Sequence, residues 1–143
     1  MNKLVVFLGA ALVLAMSPTP GLAQVDIVAD SVSLDSNEVE AGGSIGISFL
    51  GHIEGPGTIQ GGFSVGFYLS PDDHITTSDV VLFQYTELAD SQSDPPFGLT
   101  NPIQVQVPAN TQRGNYFLGM IVDDLDQVAE TDETNNTESD NVE

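Results

Sequence analysis

The chain has 143 residues, with 21 Asp and Glu against two Lys and Arg, and it contains no cysteine or tryptophan. The lack of cysteine excludes disulfides, thiol chemistry and a lipid-modified N-terminal cysteine. The acidity excludes nucleic acid and anionic membrane surfaces as partners, because both require Lys and Arg to neutralise phosphate.

Lys3 is the one early charge, and an apolar run follows from Leu4 to Met16. Pro18 and Pro20 then break the helix, and Gly21-Leu22-Ala23 places small residues where a signal peptidase cuts. This pattern reads as a secretory signal peptide over residues 1–23. The run is too short for a comfortable membrane span, so a chain secreted or periplasmic, without membrane insertion, is expected. The mature chain, from Gln24, has the length of one domain over residues 24–143. It holds 21 acids and one cation, Arg113, for a formal charge of −20. Such a surface attracts divalent cations and basic partners and repels itself. Adaptation to a salty medium would produce the same acidity, so charge alone selects no ligand.

From Val25 the sequence reads as short strands. Val25 to Val28 and Ser31 to Leu34 alternate, with Ala29-Asp30 between them. Asp35 to Glu38 and Ala41 to Gly43 are turns, and Ser44 to Phe49 places Ile45, Ile47 and Phe49 on one face. Gly51 to Gly62, with its glycines and Pro56, reads as a flexible connection. Gly62 to Leu69 alternates again, with Phe63, Val65, Phe67 and Leu69 together, and then runs into the acidic loop Pro71 to Asp79. Val80 to Tyr85 is rich in β-formers. Glu87 to Pro102 is expected to be irregular, because Asp94-Pro95-Pro96 and Asn101-Pro102 block pairing. Ile103 to Val107 is half-buried in pattern. Asn115 to Val122 is apolar on both faces and is expected centrally. Asp123 to Asp126 reads as a tight turn, with Val128 to Glu130 returning antiparallel. About seven short strands with no helical period argue an all-β, immunoglobulin-like Greek-key β-sandwich, with a small closed barrel as the alternative.

Phe67-Tyr-Leu-Ser70, then Asp72, Ile75 and Ser78-Asp79, resemble the signature strand and loop of CARDB, the cell adhesion related domain found in bacteria. Gly114 to Tyr116, Val122-Asp123 and Val128 to Asn136 resemble the C-terminal half of that family, and Val25 to Leu34 with Glu40 to Gly43 resemble its beginning. The resemblance implies a seven-stranded immunoglobulin-like module of secreted or surface proteins, acting in adhesion or protein–protein interaction without catalysis. The sequence departs from the family at Gly51 to Gly57, where an Asn-x-Gly turn is usual. It departs again at Thr137 to Glu143, where Val142 is the one sizeable apolar residue. So weak a last strand is expected to fray or to be completed by a neighbouring chain, a route to self-association.

Calcium takes six to eight oxygen ligands. The acidic loop offers Asp72, Asp73 and Asp79, and the tail offers Glu133, Asn135 and Asn136 with Asp132. A turn centred near Leu125 would set Asn135 beside Asn115, at the end of the sandwich that carries the acidic loop, so one shared calcium site is expected from these residues. The same residues serve equally as turn formers, through side-chain bonds to the backbone. Asp123, Asp124, Asp126 and Glu130 form a second candidate cation turn; the spacing is not that of an EF-hand. His74 beside Asp72 and Asp73 is a zinc ligand type, but structural zinc needs four ligands. No nucleophile elbow is present, and a hydrolase would need His52 or His74 beside a serine. Tyr68 and Tyr85 are expected to point away from the apolar faces, the basis of an alternative reading as a carbohydrate-binding module with a glycan partner. Tyr116, two residues after Gly114, suits a tyrosine corner. Asn135-Asn136-Thr137 matches a glycosylation acceptor, a short and frequent motif.

Overall fold

The computed structural model describes residues 25–87 and 96–142. The expected signal peptide, its cleavage before Gln24 and the Asp94-Pro95 part of the expected irregular stretch lie outside these residues. Seven strands form: β1 (Asp26–Leu34), β2 (Ser44–Glu54), β3 (Phe63–Ser70), β4 (Val80–Glu87), β5 (Phe97–Gln106), β6 (Tyr116–Val122) and β7 (Thr137–Val142). They make one sheet in the order β1-β2-β5 and a second in the order β4-β3-β6-β7, with every neighbouring pair antiparallel. The architecture is the all-β sandwich expected from the alternation, and two separate sheets exclude the closed barrel.

The period-two residues meet between the sheets. Ile27, Val32, Ile45, Ile47 and Phe49 from one sheet face Phe63, Val65, Phe67, Leu69, Leu118, Met120 and Val122 from the other. Phe49 and Phe67 touch edge to face, with ring centroids 5.0 Å apart. Burial of these side chains removes apolar surface from water at roughly 25 cal/mol per Å², which suits a chain with no cysteine to staple it.

Four details of the chain differ from the sequence reading. β1 is one strand, because a bulge between Ala29 and Ser31 absorbs the interruption. β2 runs on through Glu54 into the glycine-rich stretch, since β1 is there to pair with it. β5 begins at Phe97 and carries Asn101-Pro102 within it. The register slips between Ile47 and Phe49 on β2, and β5 is an edge strand, where a proline is tolerated. Val128 to Glu130 does not return along β6; Glu130 instead bridges Val25 in parallel. The strand that returns is Thr137 to Val142, pairing Ile121↔Thr137 through Tyr116↔Val142. The last strand is therefore completed within the chain, and Val142 is buried in the core.

β3 is buried on both faces, although its outer face, Ser64, Gly66, Tyr68 and Ser70, belongs to the outside of the sandwich. The acidic loop explains this. Its Ile75 folds back onto β6 at Gly119, where a Cβ would lie 2.3 Å from Ile75 Cγ1. The turn after β6 lays Asp124 over Gly66, where a Cβ would lie 2.1 Å from Asp124 Oδ2. Ile75 is the apolar plug of an otherwise polar loop. We expect Ile75→Ala to cost about 2–4 kcal/mol in urea unfolding, and Asp73→Asn, exposed on the same loop, to stay within about 0.5 kcal/mol.

Candidate functional site

The expected calcium set does not assemble. The loop after β3 leaves the sheet at Ser70, which pairs with Phe117 near the start of β6. Asn136 lies at the other end of β6, where its carbonyl accepts from Val122 N at 2.9 Å. Five residue steps along the strand separate Phe117 from Val122, roughly 17 Å at about 3.4 Å per step. Asp72, Asp73 and Asp79 are thus at one end of the sandwich, and Glu133, Asn135 and Asn136 at the other. The cause is the connection from Asp123 to Asn136. The tight turn at Asp123 to Asp126 forms, with Asp126 N donating to Asp123 O at 2.9 Å and both aspartates at positive φ, 49° and 51°. Beyond it the chain does not return along β6 but runs beside the start of β1, where Glu130 bridges Val25.

The carboxylates build turns instead. Asp79 Oδ2 accepts from Thr76 N at 2.7 Å and Thr76 Oγ1 at 3.0 Å. Asp72 Oδ1 accepts from His74 N at 3.0 Å. Asp123 accepts from Gln127 N at 3.0 Å and Val128 N at 2.7 Å, and Asp132 from Thr134 N at 2.9 Å. Among the described residues no three of His, Cys, Asp and Glu converge to hold a metal ion. The first candidate set is split between the two ends of the sandwich, and the carboxylates of the turn Asp123, Asp124, Asp126 and Glu130 do not gather in threes.

The second end is nonetheless a built polar site. Glu130 is buried beside the start of β1. Its carboxylate accepts from Ile27 N on β1 and from Asn136 Nδ2 at 2.9 Å. Around it Thr131 N donates to Val25 O at 2.9 Å and Ala29 N to Asn135 O at 3.1 Å, while Asn135 Nδ2 donates to Asp26 Oδ2 at 3.1 Å. Burial pushes the Glu130 carboxyl from its ordinary 4.5 up to about 7, and Glu133 and Asp123 nearby push the same way, against the two bonds it accepts. Burial also raises Asp123. Asp26 Oδ1, Asn135 Oδ1 and Asn136 Oδ1 are buried without a hydrogen-bond partner among the described residues. All three are acceptors, so this end lacks donors. Asn135, held to Asp26, is not a free glycosylation acceptor. Asp26 was not singled out from sequence; its signal is only that it opens a strand.

The aromatic candidates are not exposed sugar platforms. Tyr68 does face outward, but the cover over β3 leaves it 3% accessible, with its hydroxyl donating to Asp124 Oδ2 at 2.5 Å. Burial, then Asp124, raises its pKa. Tyr85 faces inward, because a bulge at Leu82 turns the strand over between Phe83 and Val81. Its ring lies 5.8 Å from that of Phe49, and its hydroxyl donates to Glu87 at 3.0 Å. Tyr116 is the tyrosine corner, donating to Gln112 O at 2.9 Å.

His52 lies on β2 between Asp30 at 2.9 Å and Glu54 at 3.0 Å, and its bonds to Glu54 and then Asp30 raise its pKa. Those two partners are carboxylates, and His74 is exposed; neither sits as the base of a serine nucleophile. A bowl of about 780 Å³ opens at the acidic-loop end of the sandwich, floored by Leu69, Val107 and Val142 and rimmed by Glu38, Glu40 and Arg113. Neither histidine lines it.

No family model and no curated protein matches the chain. Among solved structures the chain is similar to the CARDB domain of a Pyrococcus furiosus protein, crystallised in complex with di-metal ions. The identity is 16% and the TM-score 0.50, over 84% of this chain and 91% of that one. The likeness supports a CARDB-like fold.

Two measurements follow from this geometry. Calcium and magnesium at equal millimolar concentration are expected to raise Tm equally, as screening of an acidic surface does; a rise specific to calcium would restore a coordination site. Between about pH 4.5 and 7 the folded state holds the Glu130 proton that the unfolded chain releases. The stability it contributes is therefore present at low pH and lost as pH rises through about 7. Glu130→Gln keeps an acceptor for Ile27 N and adds a donor, so urea melts should show it at least as stable as wild type at pH 8 and less dependent on pH. Glu130→Ala, which strands Ile27 N, should lose about 2–3 kcal/mol at either pH.

Proposed function

We propose that this chain is an exported, non-catalytic immunoglobulin-like module that acts in adhesion or protein–protein interaction, secreted or held in the periplasm. The observation that carries the reading is a surface one. Val80 and Phe83 are exposed together on the inner face of the strand β4, and Val81 is exposed on its outer face, in a domain whose other inward-facing aromatics are well covered. Monomeric surfaces rarely leave contiguous apolar patches without a use. The CARDB-like fold and the signal-like leader agree with the reading. The glycan alternative loses its support with the burial of Tyr68 and the inward turn of Tyr85. The proposal includes no calcium requirement, because the two halves of the expected ligand set lie at opposite ends.

The test places a photo-crosslinking amino acid at Val81 in the full chain, produced in its own cells, and a control at exposed Glu138 on the far edge strand β7. The expected result is a discrete protein adduct from position 81 and none from position 138. Adducts absent at 81, or identical at both positions, would contradict it.

A further inference from the structure

We infer that the outer edge of β4, which pairs with no other strand among the described residues, takes an additional β-strand from another protein, an extended apolar segment bracketed by Lys or Arg. The inference rests on reading the chain as a binding module, and it names the surface and the partner chemistry.

The sheets are of unequal width, three strands against four, and β4 stands beyond the cover that β5 provides. Register makes the consequence plain. Val80 pairs with Leu69 and Phe83 with Phe67, so each pair shares the inner face. Leu69 is 4% and Phe67 0% exposed, yet Val80 is 51% and Phe83 42% exposed. The inner face of the sandwich is thus sealed along β3 and open on β4 at Val80 and Phe83, whereas Tyr85 packs inward against Phe49. A strand added beside β4 would bring inward side chains against Val80 and Phe83 and satisfy the unpaired backbone groups of the edge.

The other three edge strands carry guards. β1 has Asp26 and Asp30, β7 has Glu138 and Asp140, and β5 has Pro102; charges and proline are the usual means by which edges refuse a partner. β4 has neither between its ends. Its one interruption is the bulge at Leu82, which leaves Phe83 to Glu87 as a regular run.

Charge then chooses the occupant. Asp79 precedes β4 and Glu87 ends it. In a two-fold antiparallel pairing of β4 with a second copy, centred near Phe83, Asp79 would come close to the Glu87 of the other copy at both ends. Like charges directly opposed across strands are destabilising, and each copy carries the full acidic charge besides. A strand with a cation at each end turns both oppositions into ion pairs, and the acidic field steers it in.

The test titrates the residue 24–143 domain with a nine-residue synthetic strand, Thr alternating with Val or Ile between terminal lysines, observed by backbone amide shifts. The expected result is shift changes centred on Val80 to Glu87. Affinity should be at least ten-fold above that of the glutamate-ended counterpart at low salt, with the gap narrowing as salt is added. A proline at the peptide's centre, or Phe83→Ser in the protein, should weaken binding at least five-fold, the latter with the amide spectrum elsewhere unchanged. Equal binding of both peptides, shifts elsewhere on the surface, or no binding at millimolar peptide would overturn the inference. So would a dimer by sedimentation, which assigns the edge to a second copy. A position-81 photo-adduct in cells, with no peptide binding, leaves the module reading standing and removes the strand chemistry.

Discussion

Apolar packing between two sheets has no direction, so something else must fix how one sheet sits on the other. Here it is Glu130. One carboxylate binds the amide of Ile27 on the first sheet and the side chain of Asn136, whose carbonyl holds Val122 on the second. The bonds from Thr131 to Val25 and from Ala29 to Asn135 extend the same stitch. From Asn136 the chain enters β7 in a register that puts Val142 into the core. The position of the last strand therefore depends on a buried acid, and a buried carboxylate is costly while ionised. A shared proton is the economical resolution, since the surrounding oxygens have accepted all the donors that the fold provides.

This use of acid contrasts with the use elsewhere in the chain. Asp72, Asp79, Asp123 and Asp132 each accept backbone N–H groups within a few residues. Acids that suggest metal coordination by number and spacing are turn builders, a common role of Asp and Asn. Ile75, the least conspicuous residue of its loop, matters more to the fold than the aspartates around it, because it seals the outer face of β3 at Gly119.

The strands were legible wherever alternation was clean. Phe63 to Leu69 and Ile45 to Phe49 read correctly because period two and burial on one face are the same fact. Tyr116 was legible because its corner is local, four residues from its acceptor. Three features were not. Pro102 sits in a strand because that strand is at an edge, and edge position is a tertiary property. Leu82 is the extra residue of a bulge, which no pattern of β-formers marks, and it reverses the direction of Tyr85. The connection after Val122 depends on Asp123 and Asp126 at positive φ, an option open to aspartate but not forced on it. The tight turn itself is legible, but the detour beside β1 that delays the return to Thr137 is not, and it moves Asn135 to the opposite end of the sandwich from the acidic loop. The open inner face at Val80 and Phe83 was beyond reach for a related reason, since it follows from β4 lying on β3 and leaving the other sheet one strand short.

The most direct test of the Glu130 stitch is to follow its side-chain carboxyl carbon by NMR through a pH titration of the folded domain. The account predicts a midpoint near 7, with the Ile27 amide resonance moving in the same transition. A midpoint near the ordinary glutamate value of 4.5, with Ile27 unmoved, would contradict it.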